Sequence, residues 1–245
     1  MGEETLKRYD MNIDSKTLPQ GLSRHLYTGV SIGIAVVVFI GFARTYYLKA
    51  VFGTPVISLL VHLHGLVMTG WLVIFGFQVW LVRTRRVHLH RRVGVVAAIW
   101  ATLVLIVGAV TAITAAKLGR APAGPPLVFL AIPLGDLVAF GGLSSVGLCY
   151  RSRPEIHRRL MLLSSLSLLP PAFGRFPFEF CHAPLAFFGL TDLVVLACVI
   201  YDTVKHRRLH PAFLWGGAFM IITQPLRLML SATPAWMQFA SWLVH

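Results

Sequence analysis

The chain has little charge, and acidic charge is the scarcest. Only 13 % of its 245 residues are charged, and nine Asp and Glu residues stand against 22 Lys and Arg. With 56 % hydrophobic residues, this composition lies outside the range of soluble globular domains. The net charge of +13 is concentrated in short segments between long apolar runs. This distribution favours attraction to an anionic inner membrane leaflet and argues against nucleic acid as a partner.

Cysteine is also scarce. Cys149, Cys181 and Cys198 form no CxxC pair, and two of them fall inside apolar runs. The sequence therefore predicts neither a disulfide framework nor a zinc knuckle. We expect these cysteines to be small buried apolar residues.

The motifs of several enzyme classes are missing. The chain has no P-loop, GxSxG or HExxH motif, which excludes nucleotide hydrolysis, serine hydrolase chemistry and zinc proteolysis of those types. No lysine follows Pro211, so the last span has no group to form a retinal Schiff base. The only HxH pairs, at His62 and His64 and at His88 and His90, supply too few ligands for a di-iron centre.

Long apolar runs of about 20 residues are what the chain does have, and each is long enough to span a bilayer. They predict an all-α bundle of seven transmembrane helices at 26–48, 56–82, 92–116, 125–150, 157–177, 184–204 and 211–232. We expect one domain over 26–245, preceded by a polar cytoplasmic tail at 1–25 without signal-peptide features. Pro170-Pro171 lies within the fifth span and should kink or interrupt it.

Three HRR triplets begin at His90, His157 and His206, each in a short basic loop. Lys and Arg accumulate in cytoplasmic loops. All three loops fall on the same side of a seven-span bundle, which places the N-terminus inside and the C-terminus outside. The sequence thus predicts a multi-pass protein of the bacterial inner membrane, in contact with anionic lipid.

Polar residues within the spans are costly in hydrocarbon and usually face the interior of the bundle. His64, Met68, Trp71, Phe75 and Gln78 share one helical stripe of the second span, whereas His62 points about 200° away from His64. The other candidates lie mostly in the outer half of the bundle: Asp136, Arg175, Asp192, Gln224 and Arg227.

An intramembrane histidine above an apolar slot is typical of an axial ligand to haem. Histidines at matching depth form two candidate pairs, His64 with His182 at the outer side and His90 with His157 at the inner side. The alternative is that the loop histidines contact lipid phosphates at the interface.

The intramembrane charges have two interpretations as well. Asp136, Asp192, Arg175 and Arg227 either neutralise one another and fix helix register, or form a proton-conducting or anion-binding site. With haem bound, the arginines would pair with its propionates. Gln78 and Gln224 either complete such a polar network or link helices by hydrogen bonds.

The sequence His62-Leu63-His64-Gly65, then Met68, Trp71 and Gln78, then His90-Arg91-Arg92-Val93-Gly94 resembles a pattern in poorly characterised bacterial multi-pass proteins of a family without assigned function. A His near the outer end of one span, a basic loop and a His opening the next span is loosely similar to the ascorbate-reducible transmembrane di-haem cytochromes b. This second resemblance covers spans two to five. It implies histidine ligands on successive helices, haem b and electron transfer.

Three functions are therefore open at this point. The first is a haem-binding electron-transfer protein, which as an enzyme would be a membrane oxidoreductase. The second is a non-enzymatic subunit or assembly factor that packs its aromatic segments, 173–188 and 236–242, against a protein partner in a membrane complex. The third is a small proton-coupled transporter that uses Asp136 and Asp192 as relays.

Overall fold

A computed structural model describes residues 21–122 and 124–245, and all regular structure in these two ranges is helical. The predicted tail at 1–25 lies mostly outside the described residues. The α-helices are α1 Gly21–Phe42, α2 Leu59–Arg83, α3 Val87–Lys117, α4 Pro126–Phe129, α5 Ala131–Cys149, α6 Pro154–Leu166, α7 Pro170–Phe173, α8 Pro184–His206, α9 Pro211–Ser231 and α10 Pro234–Val244. Helix α1 continues into a π-helical turn, Ala43–Tyr47, and a 3₁₀ turn, Glu179–His182, precedes α8.

Six helical segments in the described part are long and apolar enough to cross a membrane. They are Leu26–Tyr47, Leu59–Arg83, Val87–Lys117, Pro126–Cys149, Pro184–His206 and Pro211–Ser231. Each of these six segments corresponds to one predicted span. The fifth predicted span, 157–177, has no counterpart among them. The prediction of an all-helical, multi-span membrane protein is therefore confirmed.

The fifth predicted span is broken into two helices. Helix α6 has 13 residues and ends at Leu166, and α7 begins at Pro170. At about 1.5 Å per residue, α6 is roughly 20 Å long, less than the hydrocarbon thickness of about 30 Å. Pro170 and Pro171 lack N–H groups, so an α-helix cannot continue through them with its hydrogen bonds intact. The Leu166 carbonyl accepts from the amide of Leu169 instead, at 3.0 Å. The predicted interruption is confirmed.

Contacts at both ends of this broken segment fix its direction relative to α1. The Arg158 guanidinium lies 5.6 Å from the ring centre of Tyr27 near the start of α1. At the other end Gly41 packs directly on the backbone of Ala172 in α7. The segment from α6 to α7 therefore runs alongside α1 in the same direction.

The core is built around this broken segment. Leu162, Leu163 and Leu166 of α6 are completely buried, and they belong to an apolar cluster that also includes Phe187 of α8 and Phe213 of α9. Helices α2, α3 and α5 form a second cluster in which the Trp71 and Phe140 rings pack edge to face. Helix α6 is thus a central element of the bundle although it is short.

Helix α10 was not anticipated as a separate element. Thr233 caps its N-terminus by accepting a hydrogen bond from the Trp236 amide, and Pro234 occupies its first turn. The Trp236 indole donates to the Leu127 carbonyl of α4 at 2.8 Å. This contact folds the C-terminal segment against α4, and α10 accounts for much of the aromatic segment 236–242.

Candidate functional site

The loops α2–α3, α5–α6 and α8–α9 carry the basic residues, and we refer to the bundle end formed by them as the basic end. His90 of α3 and His157 of α6 meet there, with ring centres 6.2 Å apart and ring planes at 75°. Both side chains are partly exposed. The structure thus brings together the inner of the two predicted histidine pairs.

Each of the two rings has a defined partner at Nδ1. His157 Nδ1 lies 2.8 Å from the Gly147 carbonyl, to which it donates as the Nδ1–H tautomer. His90 Nδ1 lies 2.6 Å from the Gln78 amide when that amide is oriented so that its oxygen accepts from Gly94 N at 2.9 Å. Helices α2, α3, α5 and α6 therefore jointly position the pair, and Gln78 joins it as the predicted polar partner.

The outer histidine pair is not brought together. His64 is half-buried and its Nδ1 has no hydrogen-bond partner, whereas His182 is exposed in the 3₁₀ turn before α8. In the described ranges no hydrogen bond or ring contact joins these two side chains. His62 is exposed, so His64 is the more inward member of the HxH pair.

The ring-centre separation of His90 and His157 is compatible with two imidazoles that share one metal ion. With metal–nitrogen bonds of about 2 Å, two imidazoles that share an ion have ring centres about 6 Å apart. The hydrogen bond of His157 Nδ1 to a carbonyl leaves Nε2 free, as is usual for metal-bound histidine. In the orientation that satisfies Gly94, the Gln78 amide nitrogen donates to His90 Nδ1, so the proton of the neutral ring lies on Nε2. Ligation by His90 Nε2 would require the proton on Nδ1 and rotation of the Gln78 amide, with loss of its hydrogen bond from Gly94.

A two-histidine ligand set fits haem better than a bare ion, because the porphyrin supplies the remaining four nitrogens. No group of three or more His, Cys, Asp or Glu side chains suited to a metal ion occurs among the residues that the structure describes. The inner pair has the ligand type and a compatible ring-centre separation. His64 and His182 do not form such a pair, because the structure records no contact between their side chains among the residues it describes.

A second polar cluster lies at the centre of the bundle. Arg227 of α9 pairs with Asp136 of α5, and their side chains are only 7 % and 5 % exposed. The guanidinium also donates to the Thr223 carbonyl at 3.1 Å and lies over the Phe188 ring. A Cβ on Gly135 would lie 2.7 Å from Arg227 Nε, so the absence of a side chain there makes room for the guanidinium.

Helix α8 completes this central cluster. Asp192, which is half-buried, accepts from the Gln224 side chain at 2.8 Å. The pairing of Asp136 with Arg227 and of Asp192 with Gln224 places four of the predicted intramembrane residues together. Arg175 is elsewhere: it is exposed, donates to the Pro171 carbonyl at 2.7 Å and lies 4.6 Å from the Phe42 ring centre.

An ion-pair network at the basic end was missed by sequence reasoning. Arg159 of α6 and Asp202 of α8 are 1 % and 2 % exposed and form a bidentate pair, with Nε and Nη2 within 2.7–2.9 Å of the carboxylate. Glu155 accepts from Arg159 at 2.7 Å, and His206 Nδ1 lies 3.3 Å from Asp202. Two i,i+4 spacings, Glu155 to Arg159 and Asp202 to His206, were the available sequence signal.

The pKa of Glu155 reflects this network. Partial burial raises it, but the hydrogen bond from Arg159 and the charges of both neighbouring arginines outweigh burial and hold the pKa below its ordinary value. Glu155 therefore remains ionised at neutral pH and adds to the charge balance around Arg159.

The cysteines need no redox role in this arrangement. Cys181 and Cys198 are buried and Cys149 is exposed, and all three are free thiols. The expectation of small buried residues is correct for two of the three.

Comparison of the chain with protein-family models, curated proteins and solved structures finds no match.

Proposed function

We propose that this chain is an integral membrane protein that holds one haem b between His90 and His157 and passes electrons at the basic end of the bundle. The contact between the two imidazoles, at the ring separation that a shared ion requires, carries the proposal. A bis-histidine haem supplies a one-electron redox couple. The residues of the chain orient it: Gly147 through His157, and Gln78 through His90.

This proposal keeps one of the two haem sites implied by the sequence. In the part of the chain that the structure describes, no ring contact or hydrogen bond joins His64 to a second histidine, so we place no haem in the outer half of the bundle. Since Arg175 and Arg227 contact protein groups, propionate pairing falls to arginines at the basic end. Arg91 is the nearest candidate, because its charge acts on His90 and its side chain is exposed.

A reduced-minus-oxidised visible spectrum tests the haem. The protein expressed with haem supplementation and purified in mild detergent should show a sharp b-type band. His90→Ala and His157→Ala should each remove most of that band, because one axial ligand does not maintain a low-spin bis-histidine haem.

His88→Ala is the matched control, since His88 lies two residues before His90 on the same helix and is exposed. It should leave the spectrum unchanged, as should His182→Ala. A colourless but folded wild-type protein would refute the proposal. A band that depends on His64 and not on His157 would place the haem at the other side.

We also infer that the broken segment is a seventh crossing, with the N-terminus and all three basic loops in the cytoplasm and the C-terminus outside. Support comes from the parallel course of α6–α7 and α1, and from the pair Arg159–Asp202, which joins the start of α6 to the end of α8. The basic loops then face the anionic inner leaflet of a bacterial plasma membrane.

Labelling of single cysteines in intact cells tests this topology. In a variant without its three native cysteines, we expect Ser152→Cys and Arg208→Cys to react with an impermeant maleimide only after lysis. Arg120→Cys and Glu179→Cys should react at once; all four positions are exposed. If Ser152 and Arg208 differ in access, the broken segment does not cross the membrane.

A further inference from the structure

The central cluster has an unequal number of charges. It contains two carboxyl groups, Asp136 and Asp192, and one guanidinium, Arg227. Arg227 pairs with Asp136, and its charge also acts on Asp192. With both carboxyl groups ionised, the cluster would carry a net charge of −1 inside an apolar bundle, which is strongly disfavoured.

Three helices, α5, α8 and α9, and the broken segment surround the cluster. Helix α5 contributes Asp136, α8 contributes Asp192, and α9 contributes Gln224 and Arg227. The broken segment contributes Ser167, which is uncharged, and Pro170. Among the residues that the structure describes, no cation other than Arg227 lines the cavity to balance the second carboxyl group.

A small cavity lies between these groups. Its volume is about 10 Å³, near the lower limit of the space that holds one water molecule, and Ser167, Thr191, Gln224 and Arg227 are among the residues that line it. Asp136 also lines the cavity, and its Oδ2 is buried without a hydrogen-bond partner. A buried carboxyl oxygen of this kind requires a donor, either a water molecule or its own proton.

The two carboxyl groups differ in their access to the surroundings. Asp136 is 4 % exposed, whereas Asp192 is half-buried and lies about 12 Å from the start of α8 at the end opposite Asp202. Gln224 bridges the two, since it donates to Asp192 and also lines the cavity beside Asp136. Asp192 is therefore the more exposed of the two carboxyl groups.

We infer that this cluster is a proton-binding site: Asp136 and Asp192 share one proton around Arg227, and the cavity holds one water molecule hydrogen-bonded to Asp136 Oδ2. The shared proton makes the cluster neutral without a second cation. The site shares no residue with the histidine pair. A test of the proton-binding site therefore does not depend on whether haem is bound.

Infrared spectroscopy of the protein in lipid vesicles measures this proton directly, through the C=O stretching band of a protonated carboxylic acid. At neutral pH we expect such a band in the wild type. Asp192→Asn should abolish it, because the remaining carboxylate and Arg227 then balance without a proton. Asp136→Asn should abolish it for the same reason.

Glu179→Gln is the matched control, because Glu179 is an exposed acid in the adjoining loop and should not contribute to the band. Arg227→Gln should roughly double the band, since both carboxyl groups then need a proton. Asp192 is half-buried, so its asparagine variant provides the test even if the variants of the fully buried pair fail to fold. A wild type without the band, or a band unchanged in Asp192→Asn, would overturn the proposal.

Ala139→Val tests the water molecule separately. Ala139 lines the cavity and is 1 % exposed, so two added methyl groups fill the space without changing any charge. In wild type we expect a rapid shift of the carboxylic acid band after transfer to D₂O. The variant should retain the band but shift more slowly; an unchanged rate would show that the exchanging water lies elsewhere.

Discussion

Arg159→Ala is expected to remove about 3–5 kcal/mol from the free energy of unfolding, one of the two largest effects that the structure predicts for a single substitution. The substitution leaves Asp202, which is 2 % exposed, as a buried carboxylate without its guanidinium. His206 remains beside it, with its Nδ1 at 3.3 Å from the carboxylate. Burial of an unpaired charge is far more costly than loss of an exposed one.

Titration of the purified protein from mild detergent into SDS, followed by loss of native helix contacts, measures this free energy. Glu155→Ala is the matched control: its side chain is 57 % exposed and touches the same arginine, so its loss should cost no more than about 1 kcal/mol. Replacing both partners, as Arg159→Met with Asp202→Leu, should restore much of the stability. If Arg159→Ala were as mild as Glu155→Ala, the pair would not hold α6 to α8.

Sequence reasoning succeeded where the signal is local. The length of an apolar run predicts a spanning helix because each residue adds a fixed rise, and six spans were located in this way. The break at Pro170 follows from the two missing amide hydrogens. Both properties are decided within about 20 consecutive residues.

Pairing between helices was harder to predict, as the three HRR triplets illustrate. They are identical in sequence, yet His90 and His157 contact each other while His206 bonds to the Asp202 carbonyl on its own helix. The last residue of each triplet differs in burial: Arg159 is buried, whereas Arg92 and Arg208 are exposed. These differences depend on which helices are neighbours, and the periodicity of one helix does not contain that information.

The outer histidines illustrate the same difficulty. Matching depth placed His182 opposite His64, but depth along the membrane does not fix position around a helix axis. His182 lies in a turn whose buried side chain is Cys181, and its own side chain points outward. For the intramembrane charges the sequence left the partners open; the structure pairs Asp136 with Arg227 and places Arg175 elsewhere, beside Phe42.

Gly41→Ala is expected to destabilise the bundle by about 1–3 kcal/mol and Gly41→Val by more, because α1 packs on α7 without room for a side chain. A Cβ on Gly41 would lie 2.8 Å from the carbonyl carbon of Ala172, and closer still to its oxygen. The obstructing atoms are backbone, so they cannot move aside by changing a rotamer. Separation of α1 from α7 would release the broken segment that leads into the central cavity.

The free energy of unfolding in SDS titrations measures the loss, and amide hydrogen exchange from Leu168 to Arg175 should report its location. Gly33→Ala is the matched control in the same helix, since nothing lies within 4 Å of its Cβ position. It should be neutral or stabilising, because alanine favours helix over glycine. Ala172→Gly should not rescue Gly41→Ala, because it removes no clashing atom. Equal stability of Gly41→Ala and Gly33→Ala, with unchanged exchange, would mean that α1 does not hold the broken segment in place.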